Sequence, residues 1–162
     1  MPKVQTIITP DQDAIVAEID ISAPPSRVFE ALTHPDQLAR WFTNPDCPAK
    51  FWKMDARLGG SYSYASANTK LVINGVNEFK CHGEITEIDP PRLLVYTWFG
   101  NWHLDPERKT TVRWDLTPTA SGTHLKVTHS GLAAEPAART DYSGGWVGVV
   151  ENLKQFAETG KV

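Results

Sequence analysis

Cysteine is scarce, and that scarcity is the first constraint on the chain. Only two cysteines occur, Cys47 and Cys81, far apart and in no CxxC pair. Neither a disulfide-stapled scaffold nor a paired-cysteine zinc or redox motif fits that count. Runs of lysine and arginine are also missing, and the formal net charge is -3. Nucleic acid and anionic membrane surfaces are therefore not expected partners. No apolar stretch reaches membrane-spanning length. Met1 to Asp11 lacks the apolar core of a signal peptide. The expectation is a cytoplasmic protein with reduced thiols.

Several chemical signatures are absent as well. The five histidines are His34, His82, His103, His124 and His129. None makes an HExxH or other ligand spacing, so neither a metal nor a cofactor is expected. Cys81 and His82 are adjacent in sequence, but neighbouring strand residues face opposite ways. There is no GxSxG motif, and Ser130-Gly131 ends a strand without a nucleophile elbow, so no catalytic residue is assigned. Cys47 sits near Lys50 and Lys53, which would lower its pKa; the simpler reading is an ordinary loop cysteine.

What the chain does have is tryptophan, six in 162 residues, within 41% hydrophobic and 22% charged composition. That fits one domain over residues 1–162 with a sizeable core. Some tryptophans fill that core, or line a pocket for a flat or apolar ligand.

The most informative stretch is Arg139 to Phe156. Tyr142, Trp146, Val149, Leu153 and Phe156 recur at helical spacing and predict a long amphipathic helix. Gly144, Gly145 and Gly148 interrupt it, each at about 1 kcal/mol against alanine. Gly145 flanks the apolar face, whereas Gly144 and Gly148 are assigned to the back.

Upstream, Ala14 to Ile21 alternates as a half-buried strand. Pro24-Pro25 opens a short helix with Val28, Phe29, Ala31 and Leu32 inward. A second follows Pro35, capped by Thr33 or His34, with Leu38, Trp41 and Phe42 buried. Strands are then expected at Leu58 to Tyr64, Phe79 to Ile88, Leu93 to Trp98, Thr111 to Leu116 and Thr123 to Ser130. Leu71 to Val76 reads as a hairpin turning at Asn74-Gly75. No internal repeat is visible. The order is one strand, two short helices, roughly six antiparallel strands and one long helix. Such a curved meander closed by a helix leaves a gap lined with inward aromatics.

Five segments carry a family resemblance: APPSRVFEALTHPDQLARWF at 23–42, LGGSYSY at 58–64, GEITEIDPPRLLVYTW at 83–98, HLKVTHSGL at 124–132 and GGW at 144–146. In this order they resemble the START-like (SRPBCC) superfamily, in the subgroup similar to the C-terminal domain of activators of the heat-shock-protein-90 ATPase. The resemblance implies an α+β helix-grip fold, a curved antiparallel sheet around a long C-terminal helix, with a hydrophobic cavity between them. True activators carry a further N-terminal domain, for which this chain has no room. Chaperone activation is accordingly not expected.

The residues expected to line the cavity are Tyr62, Tyr64, Phe79, Trp98, Trp114, His129 and Trp146. His129 alternates inward and is either a satisfied core histidine or a polar anchor. Glu84 and Glu87 are read as solvated, with His82 or Arg92 as available partners, and Arg113 as outward. The leading expectation is a binding protein for a small apolar or aromatic ligand. The alternatives are an enzyme of the polyketide-cyclase kind, using His129 and a tyrosine, and a chaperone-interacting module. A homodimer stays open.

Overall fold

A computed structural model describes residues 4–43, 48–66 and 71–161. Cys47 lies outside the described residues. Two strands, β1 (Gln5–Ile8) and β2 (Ile15–Ile21), lead into two short helices, α1 (Pro25–Thr33) and α2 (Pro35–Trp41). Six strands follow: β3 (Ala49–Met54), β4 (Ser61–Ser66), β5 (Lys80–Asp89), β6 (Leu93–Gly100), β7 (Thr110–Thr119) and β8 (Gly122–Ser130). The long helix α3 (Pro136–Thr159) ends the fold. All eight strands form one antiparallel sheet in the order β1-β2-β8-β7-β6-β5-β4-β3. This is the helix-grip architecture.

Local chemistry sets the element ends. Pro25 and Pro35 occupy the first turns of α1 and α2, where a missing N–H leaves nothing unsatisfied. His34 is the N-cap residue of α2, but its side chain makes no capping bond. Gly160 ends α3 in the left-handed region, at φ 76°, and donates its N–H to the Phe156 carbonyl. That is the ordinary glycine stop of a helix.

Gly83 is required by a close approach. A Cβ there would lie 1.8 Å from the Thr97 carbonyl oxygen and 2.6 Å from the Tyr62 ring. The Tyr62 hydroxyl donates to that same carbonyl at 2.7 Å, and the Glu84 amide donates to the Thr97 side chain at 2.9 Å. The β5–β6 ladder also shifts register between Ile85 and Glu87. Such an irregularity bends a strand and helps this half of the sheet to curl.

Alternation along β7 and β8 sends Val112, Trp114 and Leu116, with Leu125, Val127 and His129, into the interior. Trp146, Val150 and Leu153 of α3 belong to the same buried cluster. The backbone of α3 lies mainly against β1, β2, α1 and α2.

Several sequence expectations need correction. β1 and β3 were not foreseen. All four residues of β1 are exposed, so no burial rhythm marks it. The 71–76 segment forms a single Ile73–Val76 bridge around a tight turn, with Asn74 at φ 50° and Gly75 at φ 81°, not a stranded hairpin. Leu58 is 67% exposed and precedes β4. On α3, Val150 is buried while Val149 is only partly so, because a 3.6-residue period drifts off an alternating four-three spacing. Outward positions behave as expected: Glu84 and Glu87 are exposed, and Arg113 pairs with Asp115 at 3.0 Å. Arg92 pairs with Asp89 instead of either glutamate.

Candidate functional site

A cavity of about 330 Å³ opens between α3 and the β4–β6 half of the sheet. Four parts of the fold line it. Trp41 closes α2 and is followed by Phe42 and Thr43; Tyr64, Ser66 and Trp98 come from β4 and β6; Ile73, Phe79 and Trp102 come from the connections. From α3 come Asp141, Tyr142, Trp146, Val149 and Asn152, spaced along one side, with Gly145 and Gly148 between them. At both glycines an added Cβ would meet nothing within 4 Å. These positions leave the helix wall bare on the cavity side. The assignment of Gly148 to the back of the helix is therefore corrected.

The walls are tied together by polar bonds. Asn152 donates to the carbonyls of Trp41 and Thr43, both at 3.3 Å, clipping α3 to the end of α2. Trp52 donates to the Phe42 carbonyl at 3.1 Å. Ser66 accepts the Phe79 amide through its hydroxyl at 2.9 Å. Trp98 is the hub of the aromatic set, with ring centroids 5.8 Å from Tyr64, 5.9 Å from Trp146, 6.2 Å from Tyr142 and 6.4 Å from Trp102. Its indole N–H donates to the Tyr142 hydroxyl at 2.9 Å. That hydroxyl also meets His103 Nε2 at 2.7 Å.

Tyr64, Phe79, Trp98 and Trp146 stand in the cavity wall. Tyr62, Trp114 and His129 do not line it. Tyr62 is spent on the Thr97 carbonyl and lies behind Tyr64 in the strand stack. Trp114 lies under Trp146, with ring centroids 5.6 Å apart, and donates to the Tyr96 hydroxyl at 2.9 Å.

His129 is fully buried with both ring nitrogens engaged. Trp146 Nε1 donates to Nδ1 at 3.2 Å, so the ring proton belongs on Nε2. That N–H then donates to Thr110 Oγ1 at 2.9 Å, and Thr110 donates onward to the Trp98 carbonyl at 2.7 Å. The chain of donors closes with a neutral imidazole. Burial, and then nearby His103, pushes the His129 pKa down to about 3. Its geometry is that of a strut between α3 and the sheet.

This has a pH consequence. His129 is neutral when folded but titrates near its ordinary value of 6.5 when unfolded. The unfolded state therefore binds more protons as pH falls from about 6.5 toward 3, and stability drops by up to about 1.4 kcal/mol per pH unit over that window. Unfolding free energies at pH 6.5 and pH 5 should differ by about 2 kcal/mol more in the parent than in His129→Gln. Urea melts at the two pH values check this; equal pH slopes would mean that His129 is not held neutral.

The sequence reading missed Trp41 and Phe42 as cavity residues, having placed them in the core of α2. It also missed Trp102, Ile73 and Tyr142, and above all Asp141. Asp141 is half-buried and lines the cavity; among the described residues its side chain makes no hydrogen bond or ion pair, and burial raises its pKa. Glu135, also buried, is engaged away from the cavity. It accepts the Leu104 and Asp105 amides at 2.6 and 3.1 Å and pairs with Arg108 at 2.8 Å. Burial opposes its charge, but Arg108 and the two amides hold its pKa below the ordinary value.

Among the described residues, no group of three or more His, Cys, Asp or Glu is placed to hold a metal ion. No described helix is long and apolar enough to cross a membrane.

A long helix gripped by a curved antiparallel sheet, with an aromatic cavity between them, defines a START-like domain. The chain belongs to the family described as Activator of Hsp90 ATPase homolog 1-like protein, whose model matches residues 22–158. No match is found among curated proteins. Among solved structures, the chain is similar to protein CV1439 from Chromobacterium violaceum, at 24% identity and TM-score 0.74 over 90% of this chain and 98% of that one. It is similar to an AHSA1-like protein from Aeromonas hydrophila, at 22% identity and TM-score 0.70 over 91% and 93%. It also resembles DynU16, a protein of the dynemicin biosynthetic locus, at 24% identity and TM-score 0.69 over 92% of this chain and 48% of that one. At these identities the likeness establishes the fold alone.

Proposed function

We propose that this protein takes up a small, largely apolar or aromatic ligand between α3 and the β4–β6 half of its sheet. The observation that carries the reading is the cavity itself. Its volume of about 330 Å³ lies at the lower end of the range for small-molecule sites, roughly 300–1,000 Å³. Trp41, Trp98, Trp102 and Trp146 present flat apolar surface to it, and few polar groups interrupt them. That is the usual composition of a ligand site. Family membership supports the same reading.

The experiment is a titration with a neutral apolar fluorophore such as Nile red. Binding should quench tryptophan emission and enhance dye emission, with one site per chain. Absence of saturable binding at concentrations up to dye solubility would overturn the reading.

The second reading is an enzyme of the polyketide-cyclase kind. The likeness to DynU16, from a biosynthetic locus, is what favours it. On this reading the proton-transferring groups would be Asp141 and Tyr142, which reach the cavity, in place of His129, which does not line it.

A further inference from the structure

The lining of the cavity is electrically one-sided. Among the described residues it contains one ionisable acid, Asp141, and no lysine, arginine or histidine. Among the described residues the Asp141 side chain makes no hydrogen bond or ion pair, and burial is what shifts its pKa. Surface carboxylates elsewhere in the chain are commonly paired: Glu78 with Lys50, Asp89 with Arg92, Asp115 with Arg113, Glu158 with Lys154. A half-buried carboxylate left alone is destabilised by lost hydration, and burial accordingly raises the Asp141 pKa. A cation placed beside it relieves that penalty, whereas an anion adds to it.

The aromatic walls point the same way. The faces of tryptophan and tyrosine rings carry negative quadrupole potential and attract cations, most strongly where water is excluded. Trp41, Trp98, Trp102 and Trp146 with Tyr64 and Tyr142 line the same cavity as Asp141. An aromatic box with a single carboxylate is a recognition surface for an organic ammonium group on an apolar body.

We infer that the cavity selects organic cations, amines carrying an aromatic or aliphatic body, over neutral molecules of the same shape, and rejects anions. Asp141 is the group that sets the preference. This rests on the ligand-binding reading above and names the ligand class for the same site. Carboxylic acids, fatty acids included, fall on the excluded side.

Three isosteric naphthalenes separate the two levels: 1-naphthylmethylamine, 1-naphthylmethanol and 1-naphthoate, titrated at pH 7.5 by tryptophan quenching and calorimetry. The amine should bind about tenfold more tightly than the alcohol, and the carboxylate about tenfold more weakly than the alcohol. In Asp141→Asn, which keeps the side-chain shape, the amine and the alcohol should bind within about threefold of each other. Thermal melts establish that this variant is folded, and the ranking in the parent protein stands as a test without it. An alcohol that binds while the amine binds no better would overturn the cation preference and leave the pocket reading intact. A carboxylate that binds most tightly would do the same. An amine preference unchanged in Asp141→Asn would remove Asp141 from its role. If none of the three binds, the preference and the pocket reading fall together.

Discussion

Leucine at both Gly145 and Gly148 is expected to abolish uptake of a neutral apolar ligand while leaving the fold at least as stable as the parent. Neither position has an atom within 4 Å of where a Cβ would stand, and both line the cavity. Leucine side chains there enter the space a ligand would fill, so affinity should fall by more than about a hundredfold, the equivalent of about 2.7 kcal/mol. Stability moves the other way. Each glycine removed from the helix interior returns about 0.8 kcal/mol of propensity, and each methylene buried in the cavity adds up to about 0.8 kcal/mol. The alanine pair at the same positions is the reference, since it gains propensity without filling the space. Probe titrations beside urea melts give both quantities. A leucine pair less stable than the alanine pair by about 2 kcal/mol or more would indicate overpacking and no usable cavity.

Trp98→Ala should have the largest effect on the fold, a loss of about 4 kcal/mol. Its ring packs on Tyr64 of β4, on Tyr142 and Trp146 of α3, and on His129, the last with a centroid separation of 5.5 Å. Its indole N–H is one of two groups bonded to the Tyr142 hydroxyl. Truncation opens a void that joins the existing cavity, so the surroundings have little to collapse onto. Guanidinium melts measure the loss. A change below about 1.5 kcal/mol would show that the aromatic hub is not what joins α3 to the sheet.

The fold was largely legible in the sequence because its interior elements have strong rhythm. Val112, Trp114 and Leu116 alternate, as do Leu125, Val127 and His129, and all six are buried. Tyr142, Trp146, Leu153 and Phe156 mark the face of α3 correctly. The site was less legible for a physical reason. Alternation tells which face of a strand points inward, but not whether the helix covers that face or leaves a gap over it. Trp114 and His129 point inward and are covered by Trp146 of α3; Trp98 meets α3 through Tyr142 and Trp146 and yet, like Tyr64, still borders the cavity. Trp102 and Ile73 lie in connections, where no periodicity applies. Gly148 has no side chain to register in an apolar pattern, although it lines the cavity. Asp141 leaves no mark in the apolar pattern, because what distinguishes it is its place in the folded cavity wall.

The chain contains its own reporters for the central claim, that a ligand occupies this cavity and no other place. Trp41, Trp98, Trp102 and Trp146 line it, whereas Trp52 and Trp114 do not. The decisive measurement is a two-dimensional proton–nitrogen NMR spectrum of the six indole groups, assigned by single substitutions and followed during titration with 1-naphthylmethanol. Saturable shifts largest at Trp41, Trp98, Trp102 and Trp146, with Trp52 and Trp114 moving least, are the expected result. Largest shifts at Trp52 or Trp114, or six indoles that stay in place while the ligand binds, would contradict the account.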